Sequence, residues 1–259
     1  MAIVLFVGLG PVFLADPTAI QPEIARQGPS WAHMFGTDQF GRDILSRVSN
    51  GGRQSLLLAT VAVLIGLGGG LALGTFGPYK GGALDRVVVV AVDSLFSFPP
   101  IILAMLIVTA LGPGIVTGGV AVGVAWVPYL GRVIRGEVLT LRQAGWVEAG
   151  QAAGSSTAYI IGRHILPNLL GPLLVVAAYA LSDSIVTGAG LGFLGLGVPP
   201  PASEWGSMLG DARNWLAIDP EIAVFPGTLI LLTSLGGNLL ADGLQDVFNP
   251  HKVGRDARR

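Results

Sequence analysis

Hydrophobic positions along this chain come in long unbroken blocks rather than in alternating or striped patterns. Leu56–Phe76 runs 21 residues without a charge, Val87–Leu111 runs 25 interrupted only by Asp93, and Ile115–Leu130 runs 16. Leu169–Thr187 adds 19 residues carrying Asp183, and Ile222–Ala241 adds 20 with no charge. A helix needs about 20 predominantly apolar residues to cross a bilayer, within a range of roughly 17–25. The blocks therefore predict five spanning helices, the 16-residue one with help from its flanks. A sixth block, Ala2–Ala15, is apolar over only 14 residues. It lacks the basic n-region and small-residue cleavage site of a secretory signal. It reads as the outer part of a first spanning helix, and its shortness carries the expectation that the chain lacks part of its natural beginning.

Composition agrees with lipid as the solvent. Charged residues make up 12% of the chain and apolar ones 51%, against about 25% charged in a soluble domain, and the mean hydropathy is +0.67. The 39 glycines and 17 prolines sit largely within apolar stretches, where membrane helices tolerate them. A net charge of −1 gives no electrostatic footprint for nucleic acid. The absence of cysteine excludes disulfides, thiol catalysis and thiolate metal sites. Six spans put both termini on one side. Segments 77–86, 131–168 and 242–259 hold ten basic residues, and 16–55 and 188–221 hold five. The positive-inside rule then places both termini and the 131–168 loop in the cytoplasm.

Several patterns exclude functions or leave them open. Gly190–Gly195 matches the GxGxxG fingerprint but follows a spanning helix and precedes Pro199–Pro201, so the strand–turn–helix context of a dinucleotide site is missing. There is no GxxxxGK[ST] loop, and so no ATP site of that kind. His33, His164 and His251 fall on different predicted faces, which rules out a shared zinc site. Asp93 and Asp183 are the only ionisable residues within the spans. Each reads either as part of a translocation path or as a structurally paired or hydrated helix-end charge. Gly66, Gly70 and Gly74 make one smooth helix face, for close packing or for lining a path. Pro99 and Pro100 predict a kink in the Val87–Leu111 span.

The loop after the Ile115–Leu130 span is too rich for a connector. Trp146–Ala153 reads as a short helix ending at Gly154. Ser155, Ser156 and Thr157 offer N-cap oxygens for a second helix, Ala158–Ile165, closed by Pro167. Periodicity alone also fits an amphipathic interfacial hairpin.

Glu148-Ala149-Gly150, Gly154 and His164-Ile165-Leu166-Pro167 resemble, in sequence and spacing, the EAA signature of bacterial ABC importer permeases. Gly150 replaces the second alanine of that signature, and His164 replaces an isoleucine. The run Arg163–Asn168 is similar to the peptide/nickel branch. So are Phe35-Gly-Thr-Asp38 with Gly41-Arg42-Asp43, Gly51-Gly52-Arg53 with Ser55, Asp85-Arg86, Asp93 with Ser97-Phe98-Pro99, Phe193–Gly197, Trp205-Gly206 and Asp242-Gly243-Leu244. Together they resemble the second permease subunit of dipeptide/oligopeptide/nickel importers. The family's basic tail before the first span is missing here, and Gly188 stands where the family often has glutamate.

The resemblance implies an all-α membrane protein of six transmembrane helices with the type I ABC importer permease fold and a cytoplasmic coupling-helix loop. Residues 1–53 would hold the short first span and an external segment, 54–243 the core permease domain, and 244–259 a cytoplasmic tail. It implies half of a heterodimeric pore in a bacterial plasma membrane. The partners would be a second permease subunit, two cytoplasmic ATPases and an external solute-binding protein, with membrane lipid around them. ATP and magnesium would sit on the ATPases, with no cofactor or metal on this chain, which would then not be an enzyme. Glu148, Ala149, Gly150, Gly154, His164 and Pro167 would form the ATPase-coupling loop. Glu148 would make a polar contact, Gly154 the turn and Pro167 the stop before the next span. Trp205 and Trp215, in the predicted external loop, are candidates for a gate, for a binding-protein contact or for interfacial anchors. By the resemblance the substrate would be a di- or oligopeptide, with nickel or another small solute as the alternative. A secondary carrier or a membrane scaffold is the alternative of another class.

Overall fold

The computed structural model describes residues 2–248; the tail residues 249–259, with four of the ten basic positions counted above as cytoplasmic, lie outside it. The described residues are mostly helical, and the one β feature among them is an isolated bridge between Thr37 and Asp43. The helices are α1 (Ala2–Phe13), α2 (Ile44–Lys80), α3 (Gly82–Phe96), α4 (Pro100–Leu111) and α5 (Ile115–Arg142). They continue with α6 (Gly145–Ala152), α7 (Thr157–Ile160), α8 (Leu166–Phe193), α9 (Trp205–Ala212) and α10 (Glu221–Phe248).

Four helical stretches are long and apolar enough to cross a membrane: α2, α5, Thr157–Phe193 and α10. A fifth counts if α3 and α4 form one broken span. The six-span expectation is thus not met by length. The 12 residues of α1 rise only about 18 Å at 1.5 Å each, short of a hydrocarbon core of about 30 Å. At the other extreme α2, with 37 residues, is about 55 Å long and overshoots that core.

The Val87–Leu111 block is also corrected. It is two helices bent by 88° rather than one kinked span. Ser97–Pro99 breaks the hydrogen-bond ladder because neither proline has an N–H, and Pro100 restarts it at the first helical position, where a missing donor costs nothing.

The chain divides into two compact units. Met1–Ala62, Ile101–Val122 and Leu181–Gly236 form the first. Its core holds Ile44, Val48, Met208 and Ile222, with Phe35 and Phe225 stacked 3.8 Å apart beside them. A neighbouring cluster contains Val7, Ala59, Ile185 and Trp205. Val63–Pro100, Gly123–Ala180 and, of the described residues, 237–248 form the second unit. Its core gathers Leu130, Ile134 and Val138 of α5 with Val147 of α6 and Ile160, Ile161, Ile165 and Leu169.

In the second unit the glycine face of α2 lies against α5. A Cβ on Gly70 would sit 2.7 Å from Leu130 Cβ, and one on Gly74 would sit 2.8 Å from the Gly131 carbonyl oxygen. These glycines are there for close helix packing.

Candidate functional site

The hairpin between α5 and α8 is a built element. Helix α6 ends as the glycine pattern predicts. Gly154 adopts φ +78°, its N–H donates to the Gln151 carbonyl at 3.0 Å, and the Ser155 N–H donates to the Gly150 carbonyl at 3.0 Å. This pair of bonds satisfies carbonyls that the helix end would otherwise orphan, a Schellman closure. Ser156 then caps α7, its hydroxyl oxygen accepting the Tyr159 N–H at 3.2 Å. Of the three hydroxyls offered by Ser155–Thr157, this one serves.

The second helix is not Ala158–Ile165 closed by Pro167. It is the single turn of α7, a five-residue π turn at Ile161–Ile165, and then α8 without a stop. In a regular α-helix the Pro167 ring would meet the carbonyl of Arg163, four residues back. The wider turn, in which the Leu166 N–H reaches the Ile161 carbonyl, lets the helix pass its proline. Pro167 is therefore an exposed residue inside a continuous helical path.

Burial fixes how the hairpin presents itself. Val147 is fully buried in the α5 cluster, and the Gln151 amide donates to the Tyr79 hydroxyl at the end of α2, 3.1 Å away. The Arg142 guanidinium reaches the Pro78 carbonyl at 3.3 Å. On the other face Glu148 and Ala149 are exposed, and Glu148 has no hydrogen-bond or ion-pair partner among the described residues. His164 lies half-buried with the rings of Trp146 and Tyr159 each 5.7 Å from its own, both partly exposed. Gly150 faces Ile160, 3.8 Å from where its Cβ would be. The sequence-assigned residues Glu148, Ala149, Gly150, Gly154 and His164 are thus brought onto one small helical knob with an apolar root and a polar, aromatic crown.

The other candidates lie elsewhere. Asp93 on α3 pairs with Arg132 on α5 at 2.6 Å. Asp85, two turns earlier, holds Arg135 through two contacts of 3.0 and 2.8 Å. Asp183 accepts a hydrogen bond from Thr187, one turn along α8, at 3.2 Å. Trp215 is half-buried beneath Arg26, whose guanidinium lies 5.2 Å from the ring centre.

Trp205 is a correction to the expected external contact, because none of its surface is exposed. Its indole N–H donates to the Val48 carbonyl at 2.8 Å, and its ring fills a groove on α2. A Cβ on Gly52 would come within 2.7 Å of that ring. Beside it stands Glu204, which the sequence pattern did not single out. Its buried carboxylate caps α9 by accepting the Gly206 and Ser207 N–H groups, and it accepts the Ser55 hydroxyl of α2 at 3.1 Å. Burial pushes the Glu204 carboxyl above its ordinary value, against the pull of those donors. The Glu-Trp-Gly run before a helix was the available signal.

Residues 55–253 match the profile of the family described as binding-protein-dependent transport system inner membrane component. The chain is 42% identical to the glutathione transport system permease protein GsiD of Pectobacterium atrosepticum over 86% of its own length and 74% of that protein. It is 41% identical to the dipeptide transport system permease protein DppC of Alkalihalophilus pseudofirmus, over 88% and 75% of the two chains. It is 38% identical to the probable D,D-dipeptide transport system permease protein DdpC of Escherichia coli K12, over 93% and 81%. A solved structure of the MetNI methionine ABC transporter in an inward facing conformation has a chain that matches with a TM-score of 0.56. That match covers 78% of this chain and 96% of that one at 22% identity, and it speaks for the shared type I permease fold alone. On the profile match and these identities, the chain belongs to the binding-protein-dependent transport system inner membrane component family.

Proposed function

We propose that this chain is one of two permease subunits of an ATP-driven importer of di- or oligopeptides in a bacterial inner membrane, with both termini in the cytoplasm. The observation that carries the reading is the α6 knob: an eight-residue helix rooted by Val147 and Gln151 and crowned by unpartnered Glu148. A helix so held transmits a push from a bound partner into α2 and α5 instead of yielding to it. Of two ATPase subunits, which carry ATP and magnesium, one would grip this knob, and a second permease subunit would complete the pore. An external binding protein would deliver the solute.

ATP and the loaded binding protein can drive the cycle only by binding the outward-open state more tightly than the inward-open one. The peptide assignment is supported by the relatives, which are named for glutathione, dipeptide and D,D-dipeptide transport.

The test is uptake of labelled dipeptide into proteoliposomes containing this chain and its partners. Uptake should require ATP, the ATPases and the binding protein together. Glu148→Arg should lower ATPase co-purification and uptake at least tenfold while leaving the fold intact. Uptake driven by an ion gradient alone, or a Glu148→Arg variant that transports normally, would overturn the reading.

A further inference from the structure

The two charge pairs between α3 and α5 share their chemistry and differ in their surroundings. Asp85 and Arg135 meet through two contacts with side chains 19% and 32% exposed. Asp93 and Arg132 share one 2.6 Å contact with side chains 55% and 58% exposed. The first pair is a staple between helices. The second leaves most of its surface open, although Asp93 lies in the apolar block Val87–Leu111 and Arg132 just past Ile115–Leu130. Charges on spanning helices turn to a water-filled cavity or to a partner rather than to hydrocarbon.

The ground around this pair is shaped. A notch of about 30 Å³, lined by Gly131, Val88, Val89, Val92 and the Arg135 side chain whose charge Asp85 holds, opens between the two charges. It has room for one water-sized group, which is also the size of an ammonium. The Arg132 guanidinium lies 4.1 Å from the centre of the Phe96 ring, and Phe96 and Phe98 are themselves exposed. One face of α3 and α5 thus offers a carboxylate, a guanidinium and aromatic surface. Those are the complements of an ammonium, a carboxylate and an apolar side chain, the three groups of a short unblocked peptide.

We infer that Asp93 and Arg132 form a passing station for the two termini of a peptide, the ammonium entering the notch at Asp93 and the carboxylate turning to Arg132. The inference rests on the peptide-importer reading above. An exposed ion pair is held weakly by the fold, so it exchanges its own contact for the substrate's at little cost and gives it up again. A pathway needs that quality, because a site that holds its cargo tightly does not conduct.

The probe is a dipeptide containing a diazirine leucine, applied with free termini or with an acetylated amino and amidated carboxyl terminus to the assembled wild-type transporter. After illumination, mass spectrometry should find label in residues 92–97 or 131–135 at least fivefold above the capped probe, displaced by excess Ala-Ala. The neutral double variant Asp93→Asn/Arg132→Gln, which keeps a hydrogen-bonding pair, should fall to the capped level. Equal labelling by free and capped probes, or none in these segments, overturns the station, and that contrast needs no variant to assemble. Uptake of labelled Ala-Ala in the same preparation separates the two ideas. Uptake without such labelling ends the station and leaves the importer standing, whereas a complete complex that does not transport Ala-Ala ends both.

Discussion

At Gly154 the backbone sits at φ +78° and no atom lies within 4 Å of where a Cβ would stand, so conformation alone requires glycine there. Gly154→Ala should cost about 1–2 kcal/mol by forcing an L side chain into the left-handed region, seen as a lower melting temperature of the purified complex. Gly150 is the reverse case. Its Cβ would rest in ordinary contact with Ile160, 3.8 Å away, and Gly150→Ala should stabilise α6 by about 0.5–1 kcal/mol. Spacing in the sequence made Gly154 legible, since a glycine after a short helix marks its end. Glu204 was not legible in the same way, because its partner Ser55 is 149 residues distant. Its carboxyl is held above the ordinary 4.5 by burial. The stability tied to that shift is complete below about pH 4.5 and is lost as pH rises through the raised value, since the unfolded chain gives up its proton first. The melting temperature of the wild type minus that of Glu204→Gln should therefore fall from pH 4.5 upward, and a difference flat with pH would refute the shift.

At the scale of elements, apolar blocks gave the long helices but not their breaks. Val87–Leu111 carries Pro99 and Pro100 within it and Leu169–Thr187 follows Pro167, and the outcomes differ: 88° at Ser97–Pro99, a continuous path through Pro167. A composition rule cannot separate these cases, because the π turn that rescues the second is a property of hydrogen bonding and not of residue type. The glycine face of α2 was legible as a helix contact, though not which helix it meets. Gly70→Leu should separate α2 from α5, since even a Cβ lies 2.7 Å from Leu130 Cβ and 3.1 Å from its carbonyl carbon. The expected cost is about 1–3 kcal/mol, read as reduced yield of folded protein in detergent. Asp85→Asn should loosen the α3–α5 staple, and the reversed pair Asp85→Arg/Arg135→Asp should recover thermal stability if the contact, not the individual charge, is what matters.

For the molecule as a whole, much apolar surface has no partner within the chain. Only 17% of the most apolar window of α10 is buried, and Leu231, Leu235 and Leu239 on it are exposed. Lipid accounts for such surface as readily as protein does, which is why hydropathy reveals spans without revealing neighbours. Expressed without a second permease subunit, the chain should be degraded several-fold faster in cells, a pulse-chase measurement. One consequence of the π turn at Ile161–Ile165 concerns insertions and deletions. That turn holds one residue more than a regular turn, and the extra residue is what carries the helix past its proline. Deleting Gly162, exposed and with open space around it, would convert the π turn to an α turn, leave α7 and α8 nearly in phase, and set the Pro167 ring against the carbonyl four residues before it. The stretch from Gly154 to Pro167 therefore tolerates substitution at Gly162 better than shortening, and a frame-preserving loss of that one codon should cost about 3 kcal/mol, the usual penalty of a proline inside a regular helix.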